Sequence, residues 1–319
     1  MNTPIDKRPM RFQKRDATIL QTIHDYGGVL AKRHIHDLFW RGKSERAMQN
    51  RLSKLQAGAY LDWPSLEQRK LHPIPEPVTW LGWRGAVHIA SQHNLKVDPP
   101  KAINENQLRS LELTLRKKGL RWLREPRWSQ LHHDLTVIDV RLKIEYDIKR
   151  KKDVLISQWI NETDFRADYD RVTFTYKDRQ GIVRQKKRGV IPDGYFCLVD
   201  QKRASQSLPS KVHFFLEVDM ATHDTPSFGI EKVAAGAAYI HSKAFASRFG
   251  SNTGRWLIVT TGATRMKNLM AQTIERAGKD SGLFFFTTFT DLFFHHCFED
   301  QMWSVCSSPD KQSLLPGKE

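Results

Sequence analysis

With 319 residues the chain has room for two domains, each with an ample core, and its 39% hydrophobic content excludes a disordered or fibrous protein. A formal net charge of +16, from 51 Lys and Arg against 35 Asp and Glu, points to a polyanionic partner, most often nucleic acid. No apolar run approaches the roughly 20 residues of a bilayer span, the start lacks a signal-peptide core, and Cys197, Cys297 and Cys306 have no CxxC spacing, so the expected protein is cytoplasmic, without a membrane partner, a disulfide framework or a cysteine zinc site.

Residues 1–15 are polar and basic, with Lys7, Arg8, Arg11, Lys14 and Arg15, and read as a flexible arm. From Asp16, read as an N-cap, a helix buries Ile19, Leu20 and Ile23 and stops at Gly27-Gly28. A second short helix carries Ile35, Leu38 and Phe39 at i, i+3 and i+4. A third, opened by Ser44, buries Met48, Leu52 and Leu55. It turns Arg46, Gln49, Asn50, Ser53 and Lys54 outward, side chains of the kind that reach base edges and phosphates in a major groove. Short strands at Tyr60–Trp63 and Val78–Leu81 follow, joined by a proline-bearing loop, and Trp83–His93 reads as a closing helix. Three helices followed by a hairpin is the order of a winged helix-turn-helix, assigned to residues 16–95 with double-stranded DNA as partner. Any solvated helix face is polar; the element order and the basicity favour DNA over that plainer reading.

Pro99-Pro100 marks a linker at 96–107, and the second domain is assigned to 108–303. Its opening interleaves Arg116, Lys117, Lys118, Arg121, Arg124 and Arg127 with Trp122 and Trp128. Either that segment contacts a nucleic-acid backbone and stacks on bases, or its tryptophans pack inward. Leu131–Leu142 has helical spacing, and the adjacent His132 and His133 project apart, so they cannot serve one metal together. Lys149–Lys152 reads as a solvated turn. A further helix carries Leu155, Trp159 and Glu162, with Glu162 either in a cleft or paired with Arg166 one turn on. Arg171–Tyr176 alternates as a strand, Asp178–Gly181 turns, and the basic cluster Arg184–Arg188 follows.

Two strand edges then carry acids: Ile191–Phe196 with Asp193, and Phe214–Asp219 with Glu217 and Asp219. Apolar strands want an interior, whereas carboxylates are almost never buried without a partner. These three acids are expected to face a common cleft, neutralised by a divalent ion or a basic group, with Gly194 permitting a tight turn. Ile230–Phe245 reads as a helix with Lys232, Ala235, Gly236 and Tyr239 on one side. Trp256–Thr260 is a buried strand, Met266–Ala277 a helix, Leu283–Thr288 a strand, and Asp291 caps a final helix before a polar, mobile tail at 304–319.

This order resembles the restriction-endonuclease-like α/β core of the PD-(D/E)xK nuclease superfamily, at Pro192-Asp193 and Glu217-Val218-Asp219. The resemblance implies that Glu162, Asp193 and Glu217 hold Mg²⁺ or Mn²⁺, which activates water and stabilises charge on the scissile phosphate. Asp219 stands where the superfamily has its lysine, and Lys232 from the next helix is the candidate to reach back. The layout is also similar to the replication-relaxation proteins of plasmids and integrative conjugative elements, with Leu216-Glu217-Val218-Asp219 and Thr222 as the most specific match. That similarity implies a role in replication, relaxation or mobilisation of a mobile element, with other replication or mobilisation proteins as partners. Three functions remain open at this level: a metal-dependent DNA nickase, an inactive nuclease-fold DNA-binding regulator, and a nuclease-type transposase subunit that needs partners.

Overall fold

The structure, a computed structural model, describes residues 11–100, 104–178, 180–222 and 224–315. Residues 1–10 of the expected arm and 316–319 of the expected tail lie outside the described residues. Two compact units, 1–138 and 139–319, divide the chain, and both mix helix with sheet.

In the first unit α1 (Lys14–Asp25) buries Ile19, Leu20 and Ile23, the stripe that the spacing dictates. Asp16 is not its N-cap but its third residue. Its carboxylate accepts from the Gln13 N–H at 2.7 Å and is fully buried against Arg51 of the third helix. β1 (Val29–Ala31) is followed by α2 (Lys32–Ile35), which runs on into a π-helical turn, His36–Trp40. α3 (Glu45–Ala57) is capped by Ser44, whose hydroxyl accepts from the Ala47 N–H, and buries Met48, Leu52 and Leu55. Arg46, Gln49, Asn50, Ser53 and Lys54 are all exposed.

β2 (Leu61–Asp62) and β3 (Val78–Leu81) are joined through a short helix, α4 (Leu66–Leu71), where a bare loop was expected; with β1 they form an antiparallel sheet of order β1-β3-β2. α5 (Trp83–Gln92) and α6 (Glu105–Lys117) follow. The tryptophans beyond α6 pack inward. Trp122 is buried and its Nε1–H donates to the Leu81 carbonyl at 2.8 Å, while Trp128 stacks on His72 at 5.0 Å. These interactions tie the segment to the first unit, so the division falls inside α7 (Leu131–Ile148), downstream of the expected linker at 96–107.

The second unit runs β4 (Val154–Asn161), α8 (Glu162–Ala167), β5 (Arg171–Lys177), β6 (Val183–Gly189), β7 (Gly194–Asp200), α9 (Gln201–Ser205) and β8 (Lys211–Asp219). Then come α10 (Thr225–Phe228), a π-helical turn Gly229–Ala234, α11 (Ala235–Ile240), α12 (Lys243–Phe249), β9 (Arg255–Thr260), α13 (Ala263–Ala277), β10 (Phe284–Thr288), α14 (Phe289–Phe294) and β11 (Ser304–Val305). Six strands form one sheet of order β11-β10-β9-β8-β7-β4, and β5 with β6 forms a separate ribbon. β8, β9 and β10 are parallel, while β7 and β11 run against their neighbours.

Successive side chains point to opposite faces of a strand. Tyr195, Phe215, Trp256, Ile258, Phe284 and Phe286 therefore meet Val233, Tyr239, Phe245 and Leu269 in one cluster. The alternate residues Phe196, Phe214, Leu216, Leu257 and Val259 are buried on the other face. Coverage on both sides explains the unbroken apolar runs.

Four expectations are corrected. Residues 154–161 form a strand, not a helix, and the helix expected over Ile230–Phe245 is broken into a π turn and two α segments, the last capped by Ser242. Thr288, not Asp291, caps α14 by accepting from the Asp291 N–H at 3.1 Å. The expected mobile tail is structured through residue 315: β11 pairs with β10, Trp303 bridges Gln312, and Leu314 is buried.

Candidate functional site

Four strands end at one edge of the six-stranded sheet. β4 pairs antiparallel with β7, and so runs with β8, β9 and β10; Asn161, Asp219, Thr260 and Thr288 close these strands, and β7 begins among them at Gly194. The crevice outside the carboxyl ends of strands is where open α/β sheets bind ligands. Every acid expected in the site stands at this edge.

Gly194 pairs with Leu216, which sets Asp193 and Glu217 opposite one another on the face that carries Tyr195 and Phe215. The Asp193 N–H donates to the Leu216 carbonyl at 3.0 Å, and the Asp193 carboxylate accepts from the Val218 N–H at 2.7 Å. Asp193 is 9% and Glu217 5% exposed. Gly194 makes no left-handed turn. A Cβ there would lie 3.3 Å from the Trp159 ring, so its value is the indole packed over it.

Lys232 comes from the π turn and donates to the two Glu217 oxygens at 2.7 and 2.9 Å and to the Ile191 carbonyl at 3.3 Å. Burial disfavours charge on this amine, but the Glu217 and Asp193 carboxylates outweigh it and raise its pKa above the ordinary lysine value. Lys232 is therefore a fixed cation against two acids. π turns inside helices occur frequently at functional sites.

Asp219 belongs to a different set. The Arg265 guanidinium, from the first turn of α13, grips both its oxygens at 2.8 and 2.9 Å, and the Thr260 hydroxyl donates at 2.6 Å. Burial pushes the Asp219 carboxyl up, yet Arg265 and Thr260 more than reverse that and hold it below the usual range. Glu162 is the first residue of α8 and pairs with Arg166 at 2.6 Å, the i, i+4 partner offered by the spacing. Glu231, beside Lys232, turns the other way to Arg188 at 2.7 Å and Lys186 at 3.4 Å.

The structure thus brings Asp193, Glu217 and Lys232 together, ties Asp219 to Arg265, and pairs Glu162 with Arg166. Among the described residues no three His, Cys, Asp or Glu side chains gather as a metal-ligand set. A pair of carboxylates still suits Mg²⁺, which keeps several waters and takes one or two carboxylates plus a substrate phosphate.

A mixed α/β chain with two acids and a lysine at the edge of a mixed sheet where four strands end defines a class of two-unit proteins with a charged sheet-edge site. Within that class, the replication-relaxation family is matched over residues 20–254, and the chain belongs to it. Membership places the chain in the replication or relaxation of mobile elements. The matched segment includes α3, Glu162, Asp193, Glu217, Asp219 and Lys232, whereas Arg265 lies beyond it. No curated protein and no solved structure matches the chain. No helix among the described residues is long and apolar enough to cross a membrane.

Proposed function

We propose that the chain docks on duplex DNA through its first unit and nicks a phosphodiester at the sheet edge of its second. The carrying observation is the Lys232 amine held on Glu217 beside Asp193, a cation and two nearly buried acids at the rim of a sheet. Buried charges set against one another at a sheet-edge cleft mark a candidate for chemistry. The winged-helix reading of residues 16–95 is supported by the sheet β1-β3-β2 behind three helices and by the exposed Arg46, Gln49, Asn50, Ser53 and Lys54 on α3.

Asp193 and Glu217 would hold a Mg²⁺ or Mn²⁺ ion, whose contribution is Lewis-acid stabilisation of charge on the phosphoryl group. Lys232 orients Glu217 and adds a fixed positive charge beside the phosphoryl oxygens. In the hydrolysis a water oxygen bonds to phosphorus and gives up a proton, the P–O bond to one sugar breaks, and the leaving oxygen takes up a proton.

A second reading is favoured by Asp219, which stands in the lysine position and is locked by Arg265, and by Glu162, which is paired with Arg166. It is a DNA-binding factor built on the same scaffold without cleavage. Supercoiled plasmid incubated with the protein in Mg²⁺, Mn²⁺ or EDTA separates the two. Metal-dependent open circles, absent with Glu217→Ala, are expected; plasmid retarded in a gel but uncut in either metal assigns the chain to the second reading.

A further inference from the structure

β5 and β6 pair without interruption from Arg171 opposite Gly189 to Lys177 opposite Val183. One face of this ribbon belongs to the core: Val172 and Phe174 are buried and Tyr176 packs on the same cluster. The cations on that face are engaged, Arg188 and Lys186 with Glu231 and Arg184 with Asp178 at the turn. The opposite face is exposed except at Gly189, over which the Tyr169 ring lies. It presents Lys177 and Lys187 as cations, Arg171 as a third that donates to the Tyr169 hydroxyl at 2.9 Å, Thr173, Thr175 and Gln185 as neutral hydrogen-bonding groups, Val183 at the turn end, and no carboxylate.

A solvated ribbon needs polar side chains of either sign. A face of one sign only, on a chain of net charge +16, is complementary to a polyanion. Its position adds to this. β6 ends at Gly189, four residues before Asp193, and the ribbon stands on Glu231, the neighbour of Lys232.

We propose that the outer face of the β5–β6 ribbon is a second docking surface for duplex DNA, holding the duplex against the sheet-edge site. This inference rests on the DNA reading given above. A major groove about 12 Å wide admits a two-stranded ribbon. Thr173, Thr175 and Gln185 alternate along the strands as groups that meet base edges, with Lys177 and Lys187 toward the phosphates.

The test uses the full chain and a fluorescent duplex of about 40 base pairs, titrated at salt concentrations between about 50 and 200 mM. The double variant Lys177→Gln/Lys187→Gln is set beside wild type and beside Arg46→Ala/Lys54→Ala. With two fewer phosphates neutralised, the slope of log affinity against log salt should fall by about 1.8 in the ribbon variant, with an unchanged melting temperature. An unchanged slope in the ribbon variant, alongside a reduced one in the α3 variant, overturns the ribbon proposal and leaves the DNA reading standing. A ribbon variant that loses affinity only for single strands also overturns it. Wild type that binds no duplex removes both readings.

Discussion

At Asp219 a carboxylate sits almost out of water between a guanidinium fork and a hydroxyl, with side-chain exposures of 8% for Asp219 and 16% for Arg265. Removing one member of such a pair strands the other's charge, so Arg265→Ala should cost about 3–5 kcal/mol in urea unfolding, and Arg265→Ala/Asp219→Asn should recover part of it. The pH dependence separates this account from simple loss of packing. In the wild type the Asp219 pKa lies below its ordinary 3.8, so its contribution is present above 3.8 and lost as pH falls through the lower folded value. Lys232, raised above 10.5, contributes fully below 10.5 and loses that contribution only as pH climbs through its folded value. Between these limits neither Asp219 nor Lys232 makes stability vary with pH. Without Arg265, the Thr260 hydroxyl and the Ala221 N–H are left to oppose burial at Asp219, so its pKa rises from the wild-type value and the deficit of Arg265→Ala should shrink as pH falls through the acid range.

Packing between elements is close enough to be tested at a single atom. Gly236 of α11 lies under the Trp256 indole of β9, where a Cβ would stand 2.8–3.1 Å from ring atoms, and Trp256 donates to the Gly236 carbonyl at 3.3 Å. Gly236→Ala gains about 1 kcal/mol of helix propensity. Overpacking costs typically 1–3 kcal/mol, so the variant should melt below wild type, and a higher melting temperature would show that the indole yields. Elements with a clean period were legible from the sequence: α1 and α3 by their apolar stripes, β8 and β9 by their apolar runs. β4 was not. A bulge between Ile156 and Gln158 breaks its alternation and leaves Leu155 and Trp159 four apart, a helical spacing. Three-residue β1 is too short to show any period. The strand ends placed Asp193 and Glu217 at one sheet edge, and the nuclease resemblance offered Lys232; that Asp219 pairs with Arg265 and Glu162 with Arg166 shows only in the fold. Arg265 could not be read from the sequence, because its partner lies 46 residues away and only the β8–β9 pairing brings them together.

Over the whole molecule, the proposed function puts docking and cleavage on different residues, which makes the two separable by measurement. Glu217→Ala should leave duplex affinity at its wild-type value while cleavage disappears, whereas Arg46→Ala/Lys54→Ala should weaken binding and flatten its salt dependence by about 0.9 for each phosphate no longer neutralised. An affinity that falls with Glu217 would mean that the sheet edge itself grips the backbone. The ribbon carries a further consequence for how such a chain diversifies. Thr175 and Gln185 face one another across it, so the span between them leaves and re-enters the fold at a single rung. A hairpin that begins and ends on a paired position can be grafted there as a cassette, changing the ribbon's outer face, and with it the proposed DNA contact, while Asp193, Glu217 and Lys232 stay where they are.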